Sequence, residues 1–524
     1  VIEQGRALIL LDGLDEVREE DVNRVIKDIH EFSDHYHSNR FLITCRIAAR
    51  DYTFDKFTDV EVADFNEKQI KTFTLKWLQA KDADIAERFM EQLNSNPPIK
   101  ELATNPLLLT LLCLEFEDSG EFPSDYAELY KRGIDTLLRK WDTKRGIVRD
   151  QVYKKLSVQR KKDLLSQFAL ITFERKDYFF KQEQLQRYIG SFIRNLPDAQ
   201  TDTEALDLDS EAVLKSIEAQ HGLLVERARG IYSFSHLTFQ EYFAARKIVN
   251  SSEPQALENA LQTLVSHITE KRWREVFLLT VGMLQPADYL LQLMKQQIDA
   301  LLATDEKLQA FLSWIVQKSL SVQVPYELVT IRAFYFDLVF DHHARRYRDF
   351  NLLSAIDRHL YILVLLGYDR TLDLGLDDIL SLTCDRALAL VLGLTHSPYA
   401  FKSAFFLACD RADHLDASVG KALQLLQQKL PDPSVDDLNF KQWWRVHGLA
   451  WTEQLADAMV AYRNIGHNWQ FTEQQYQLLK QYHYANRLLI ECLYRDCYVS
   501  REVRSHLEES LLLPVVESEQ CNNY

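Results

Sequence analysis

The chain is poor in the two residues that punctuate turns. Its 524 residues hold only 15 Gly and 12 Pro, about one residue in twenty where average usage gives about one in eight. That scarcity argues against turn-dense sandwiches, barrels and propellers, and for long helices with short connections. Cysteine is sparse too: seven thiols, at positions 45, 113, 384, 409, 492, 497 and 521, form neither a disulfide framework nor a zinc-ribbon spacing. The expectation is a reduced, cytoplasmic chain. No run approaches the roughly 20 apolar residues of a membrane helix, and no basic-then-apolar signal opens the sequence, so no membrane is expected as a partner. Positive charge is also short, with 61 Lys+Arg against 77 Asp+Glu and a net charge of −16. A general phosphate-backbone binder needs the opposite balance, which argues against nucleic acid.

What the chain does have is 47% hydrophobic residues, ample for buried cores over three or four domains. It opens at Val1 rather than Met, a few residues before a buried-strand pattern. The expectation is a fragment whose upstream part is missing.

Ala7-Leu8-Ile9-Leu10-Leu11-Asp12 is a short continuous apolar run ending in an acid, the pattern of a strand buried on both faces of a parallel sheet. Val22, Val25, Ile26, Ile29 and Phe32 follow at helical spacing, then a second apolar strand, Phe41 to Cys45, ends at Arg46. Strand, helix and strand make a βαβ unit, and ligands of such units bind beyond the carboxyl ends of the strands. A third short strand is expected over 59–62.

From about residue 66 the pattern is helical, with Asn66 or Asp64 as the first N-cap and Pro106 in the first turn of an apolar helix. Helices over about 160–174, 182–194 and 208–220 precede two short strands around the turn Ala228-Arg229-Gly230 and a helix over 238–249. Three helices with a hairpin wing suggest a winged helix. Beyond residue 254 helix follows helix, among them 254–266, 346–367, 376–393 and 418–429, with no strict sequence period. The break Leu430-Pro431-Asp432-Pro433-Ser434 marks a last subdomain rich in aromatics, expected to be core.

Two strand ends carry candidate chemistry. Asp12, Asp15 and Glu16 suit a Mg²⁺ ion beside a nucleotide, with Asp15 or Glu16 polarising an attacking water; the bland alternative is a solvated acidic turn. Arg46 could meet a terminal phosphate or simply pair with Asp12 or Glu16. His236, between Phe234 and Phe239, reads either as a core histidine or as a ligand contact. Elsewhere Asp369, Asp373, Asp377, Asp378 and Asp385 read as helix caps and solvated faces rather than a metal cluster, and Arg160-Lys161-Lys162 as solvated helix surface.

These residues resemble a family. Leu10-Leu11-Asp12-Gly13-Leu14-Asp15-Glu16 is similar to the extended Walker B motif of NACHT-type signalling NTPases of the STAND class, and Phe41 to Arg46 to their sensor 1 strand. Asn105-Pro106-Leu107-Leu108-Leu109 resembles a segment of their first helical domain, and Tyr232 to Ala245 their winged-helix histidine segment. Four segments stand in the family's order within residues 1–250. The resemblance implies that Asp12 holds Mg²⁺, that Asp15 and Glu16 are catalytic, and that Arg46, Pro106 and His236 contact ATP or ADP. Pro106 would pack near adenine, and His236 would touch the β-phosphate of ADP and hold a closed state. The tail from Arg463 to Val503 looks like the C-terminal helical domain of bacterial, particularly cyanobacterial, members.

One family motif is missing. No Gly-x-x-x-x-Gly-Lys-Ser/Thr occurs; the only Gly-Lys pair, Gly420-Lys421, reads as helix interior. The expectation is that this chain by itself neither binds nor hydrolyses nucleotide. The expected fold is an α/β remnant of a P-loop NTPase domain followed by mostly α structure. Its parts are the end of the nucleotide-binding domain (1–64), a helical domain (65–120), a winged helix (121–250), a helical repeat-like domain (251–432) and a C-terminal helical domain (433–524). The implied function is a nucleotide-dependent switch coupling an activating ligand, phage-derived in an antiphage role, to ADP/ATP exchange and homo-oligomerisation. The competing reading is a degenerate NTPase serving as a helical protein-interaction scaffold.

Overall fold

A computed structural model describes residues 1–12, 14, 17, 19–44, 57–58, 60, 63, 65–78, 83–95, 99–100, 103–104, 106–122, 126–144, 157–195, 210–211, 213–214, 217, 223–234, 236–251, 253–324, 326–343, 376–393, 398–431, 437–494 and 497–515. The expected strand at 59–62 and helix at 346–367 lie wholly or mostly outside those residues, as do Asp15, Glu16 and Arg46. Among the described residues the protein is mostly helical, with a small parallel sheet near its N-terminus and an antiparallel one in a winged-helix region. It divides into two compact units, Val1–Leu290 with Tyr494–Tyr498, and Leu291–Leu493 with Val499–Tyr524.

The first unit begins with β1 (Leu8–Leu11), α1 (Glu19–His35) and β2 (Arg40–Ile43), the two strands pairing in parallel with Leu8 opposite Arg40 and Leu11 opposite Ile43. Phe32 of α1 meets Phe41 of β2 edge-on at 5.9 Å, so the helix covers the face carrying Ile9, Leu11, Phe41 and Ile43. The expectation of burial on both faces is not met: Leu8 and Leu10 are 64% and 62% exposed and Leu42 is 50% exposed. Continuous apolar sequence reports a strand meant for two covered faces. Among the described residues only one face is covered.

Helices α2 (Glu67–Leu78), α3 (Ala83–Ser95) and α4 (Pro106–Ser119) follow. Asn66 is the cap of α2: its Oδ1 accepts from the Gln69 amide at 3.0 Å while Gln69 Oε1 accepts from the Asn66 amide at 2.9 Å, a reciprocal capping box. Pro106 is the first residue of α4 and exposed, where its missing N–H costs nothing. Behind it Leu109, Leu112, Cys113 and Phe116 are buried. Burial, reinforced by the Glu117 carboxylate, pushes the Cys113 thiol up to about 12.

The winged-helix region runs through α5 (Tyr126–Lys144), α6 (Val158–Glu174), β3 (Phe180–Lys181), α7 (Gln182–Arg194), β4 (Leu224–Ala228), β5 (Ile231–Phe234) and α8 (Leu237–Val249). Between α7 and β4 the described helical residues Val213, Leu214 and Ile217 are buried. The sheet order is β3-β5-β4, all antiparallel; the hairpin matches the sequence reading, whereas β3 has too few residues to show a period. Gly230 turns the hairpin with φ +71°, a conformation that only glycine adopts without strain. Phe239, Tyr242, Phe243 and Ala244 form the buried face of α8. Each such aromatic contributes on the order of 2 kcal/mol by leaving water. Arg246 of α8 donates to Ser166 Oγ at 2.9 Å and Asp163 Oδ1 at 2.8 Å on α6, and Lys162 pairs with Asp135 of α5 at 2.8 Å. The run Arg160-Lys161-Lys162 is therefore no solvated face: Lys161 is only 1% exposed and Arg160 alone faces water. Interleaving on three sides of α6 overrides what three consecutive cations suggest. Helices α9 (Pro254–Ser266) and α10 (Arg274–Met283) complete this stretch, and α11 (Asp288–Leu302) continues the chain.

The second unit contains α12 (Glu306–Leu320), α13 (Leu328–His343), α14 (Leu376–Gly393), α15 (Pro398–Leu415), α16 (Ala417–Gln427), α17 (Asp437–Arg463), α18 (Glu473–Tyr494) and α19 (Arg501–Ser510). Gly420 lies inside α16, as the sequence reading held, and an added Cβ would collide with Asp413 Oδ1, so the glycine allows close packing there. Of the C-terminal tryptophans Trp451 is buried at 3% exposure, while Trp443, Trp444 and Trp469 are half-buried rather than core. Asp385 is a further correction. It is no cap and no solvated acid but 0% exposed, ringed by Lys318 Nζ at 3.2 Å, Arg463 Nε at 2.6 Å and Tyr335 OH at 2.8 Å. A helix-face periodicity cannot reveal a cation supplied by another helix 78 residues later in the chain.

Candidate functional site

The end of β1 and the winged helix together enclose a pocket of about 270 Å³. One wall is Asp12, delivered by β1 and exposed. Its Oδ1 accepts a hydrogen bond from the hydroxyl of Thr44, the residue that follows β2. The ladder keeps those ends together beyond the strands proper, since the Thr44 amide donates to Leu11 O at 2.9 Å and the Leu14 amide to Thr44 O at 3.0 Å.

The opposite wall is built by the winged helix. Tyr178 and Phe179 come from the connection before β3, Arg227 from β4, Ser233 and Phe234 from β5, and Leu237 and Gln240 from the first turn of α8. Each polar group on this wall is held. Gln240, 1% exposed, donates from Nε2 to Thr172 Oγ1 at 2.9 Å and to Asp177 O at 3.3 Å, pinning the turn that carries Tyr178. Ser233 donates its hydroxyl to Phe234 O at 2.9 Å and accepts from Arg227 Nε at 2.9 Å. Phe234 stacks on Phe168 of α6 with centroids 5.1 Å apart, so the floor is fixed to the helical core.

His236 lies at the lip of this arrangement. It is the N-cap residue of α8, in extended conformation, and its carbonyl accepts from the Phe239 amide at 3.0 Å. The imidazole is exposed and stands edge-on to Phe239 at 5.8 Å. A core histidine is thereby excluded. Neither His236 nor Pro106 is among the residues lining the pocket.

The structure thus places Asp12 in a shared pocket with the winged helix, leaves His236 adjacent and Pro106 apart from it, and says nothing of Asp15, Glu16 and Arg46. Arg227, Ser233 and Gln240 were not found from the sequence. Arg227 could have been noticed as a cation three residues before the hairpin glycine Gly230, but strand residues of that kind are ordinarily solvent-facing. Chemically, an exposed carboxylate faces a guanidinium and two held polar groups across a partly aromatic cavity. Such a pocket suits a ligand that carries a cation and an anion together. Among the described residues no three His, Cys, Asp or Glu side chains converge as a metal site on their own.

Comparison with known families gives two matches. The winged helix-turn-helix domain C-terminal to NACHT matches residues 126–248, and the NACHT C-terminal helical domain 2 matches residues 419–514. The chain carries both NACHT-associated domains. The crystal structure of a Signal Transduction ATPase with Numerous Domains (STAND) protein with a tetratricopeptide repeat sensor, from Pyrococcus horikoshii, aligns with 100% of this chain and 74% of that one, at 13% identity and a TM-score of 0.26. A likeness that loose carries no argument. No curated protein sequence matches the chain.

Proposed function

We propose that this chain, with its NACHT-associated winged helix and C-terminal helical domain, forms part of a nucleotide-gated signalling switch. The observation that carries the reading is the apposition of Asp12, at the end of a parallel strand, with the polar wall of the winged helix across one pocket. Crevices beyond the carboxyl ends of parallel strands are where α/β folds bind ligands. A winged helix closing such a crevice would stabilise whichever state its ligand bridges, which is the two-state logic of a switch.

Of the residues that the resemblance assigns to metal and nucleotide, Asp12 lies in the pocket. Asp12, exposed and with one oxygen held by Thr44, would take part in holding Mg²⁺. Asp15 and Glu16 follow it in sequence as the proposed polarising acids, and Arg46 and Pro106 are proposed phosphate-side and adenine-side contacts. His236, at the exposed start of α8, is the proposed contact to the β-phosphate of ADP. The nucleotide supplies the charge that couples strand end and winged helix; the chain's part is to orient the groups that meet it.

The finer reading is a cytoplasmic bacterial protein in which the C-terminal helices sense a phage-derived ligand and nucleotide exchange drives homo-oligomerisation. Family resemblance supports that role. In keeping with it, no described helix is long and apolar enough to cross a membrane. The test is ADP binding by the polypeptide as its gene encodes it, with and without His236→Ala. The expected result is Mg²⁺-dependent ADP binding that the substitution weakens, with higher activity in the resting state. Absence of ADP and ATP binding would overturn the switch in favour of the scaffold reading.

A further inference from the structure

We propose that the outer face of α17 is a docking surface for a second copy of this chain, packed antiparallel about a two-fold axis at Leu449. The contact lies within the C-terminal helical domain. It is separate from the nucleotide-driven assembly proposed above and stands or falls without it.

Packing of the inner side of α17 fixes which residues turn outward. Trp451, Leu455 and Met459 are buried there, and Trp451 Nε1 donates to Leu426 O at 3.0 Å while Lys429 Nζ donates to Gln454 Oε1 at 2.6 Å. Residues four apart along a helix form a row on one face. Two neighbouring rows on the outer side, Gln442-Val446-Ala450 and Arg445-Leu449-Glu453, are exposed at every position. A surface helix ordinarily turns polar side chains to water. Here the centre of the outer face is apolar, with Val446 74% and Leu449 77% exposed.

The charges beside those two side chains point to the occupant. Arg445 and Glu453 stand about one turn to either side of Leu449, about 12 Å apart along the axis, too far to pair within the helix. Among the described residues neither has an ion-pair partner. About a two-fold axis at Leu449, an antiparallel copy brings its Glu453 to the height of Arg445 and its Arg445 to the height of Glu453, with Leu449 against Leu449 and Val446 beside it. A two-fold contact repeats every pair, residue i on j and j on i, so a single helix face supplies both ion pairs. A parallel copy would set arginine against arginine and glutamate against glutamate, which is repulsive. Rows of residues four apart also interdigitate in the commonest class of helix packing. One helix face is small beside a standard interface, so the expected association is micromolar or weaker.

The experiment is sedimentation equilibrium of the polypeptide as its gene encodes it, without added nucleotide, over roughly a hundredfold concentration range that reaches high micromolar. The expected result is a concentration-dependent rise towards twice the mass of one chain. Leu449→Glu sets two carboxylates together on the axis and should weaken association at least about tenfold. Arg445→Glu and Glu453→Arg should each weaken it by setting like charges opposite, and the double variant carrying both should recover it. All these positions are exposed, and an unchanged thermal midpoint shows that folding is intact. A monomer at every concentration overturns the proposal, and so does a dimer that Leu449→Glu leaves unchanged. Single charge reversals without effect, or a double variant without recovery, overturn the antiparallel pairing on which it rests.

Discussion

Two of the places among the described residues that set an arginine against a carboxylate and a hydroxyl differ sharply in burial. In the second unit Arg463 donates to Asp385 Oδ1 at 2.6 Å and to Ser381 Oγ at 2.5 Å, while Lys318 reaches Asp385 at 3.2 Å and the Arg463 carbonyl at 2.5 Å. Asp385 is 0% exposed and Lys318 3%. Burial holds the Lys318 ammonium below the usual lysine range despite Asp385, and the neighbouring Arg463 adds to that. The cluster ties α12, α13, α14 and the end of α17 into one body, and Lys318 also caps the last carbonyl of α17, that of Arg463. In the first unit Arg227 makes a bond to Ser233 from an exposed position, with Asp12 across a pocket. The same functional groups satisfy one another directly where they lie out of water, and stand on opposite walls where a pocket separates them.

Substitutions can break that contrast, beginning with the largest effect. Asp385→Ala leaves two cations buried around a void and should cost about 3–5 kcal/mol; urea denaturation of the second unit would read it, and a loss under 1 kcal/mol would show that the cluster is not the tie described. Arg246→Ala, which removes donors to Ser166 and Asp163 in the winged helix, should cost about 2 kcal/mol, because only part of that site is closed to solvent. Gln240→Ala should cost about 1–2 kcal/mol by freeing Thr172 Oγ1 and the turn at Asp177.

A pH measurement sharpens the comparison at a half-buried carboxylate. Asp305 caps α12, accepting from the Lys307 and Leu308 amides at 3.0 Å each and from Gln475 Nε2. What burial it has raises its carboxyl, but the bonds from Gln475, Leu308 and Lys307 outweigh that and hold it below the usual range. A depressed carboxylate contributes stability that is complete above about pH 3.9 and lost as pH falls through the lower folded value. Asp305→Asn keeps a capping oxygen and removes the charge, so it should cost about 0.5 kcal/mol near neutrality and narrow the gap to the unsubstituted protein on the acid limb. A pH-independent difference would deny the link. Smallest of all, Arg227→Gln, at an exposed position, should change stability by no more than about 0.5 kcal/mol in urea denaturation, in contrast to Asp385→Ala.

Much of the fold is legible along the chain because its signals are local. The βαβ start shows in two apolar runs around an amphipathic helix; the wing shows in Ala228-Arg229-Gly230; α9 and α14 show in their apolar spacing. The NACHT-associated winged helix shows in Tyr232 to Ala245, where aromatic spacing and hairpin chemistry coincide. The candidate site is legible only on one side. Asp12 stands at a strand end, which a sequence reveals. Arg227 enters through a bulge, Ser233 through a hydroxyl that orients it, and Gln240 through a bond to Thr172, 68 residues earlier; none of these has a sequence period.

The sequence by itself determined the scarcity of turns, the helical character, the parallel strand pair and the winged-helix hairpin, because those follow from backbone propensity and from spacing within a few residues. Only the tertiary structure decided which charges are buried and which face a pocket. Asp385 and Asp12 are the same residue type at helix-face and strand-end positions that composition treats alike. One is enclosed by cations from distant helices and the other is left opposite Arg227. Burial depends on what the rest of the chain brings to each side chain, and only the assembled fold brings it.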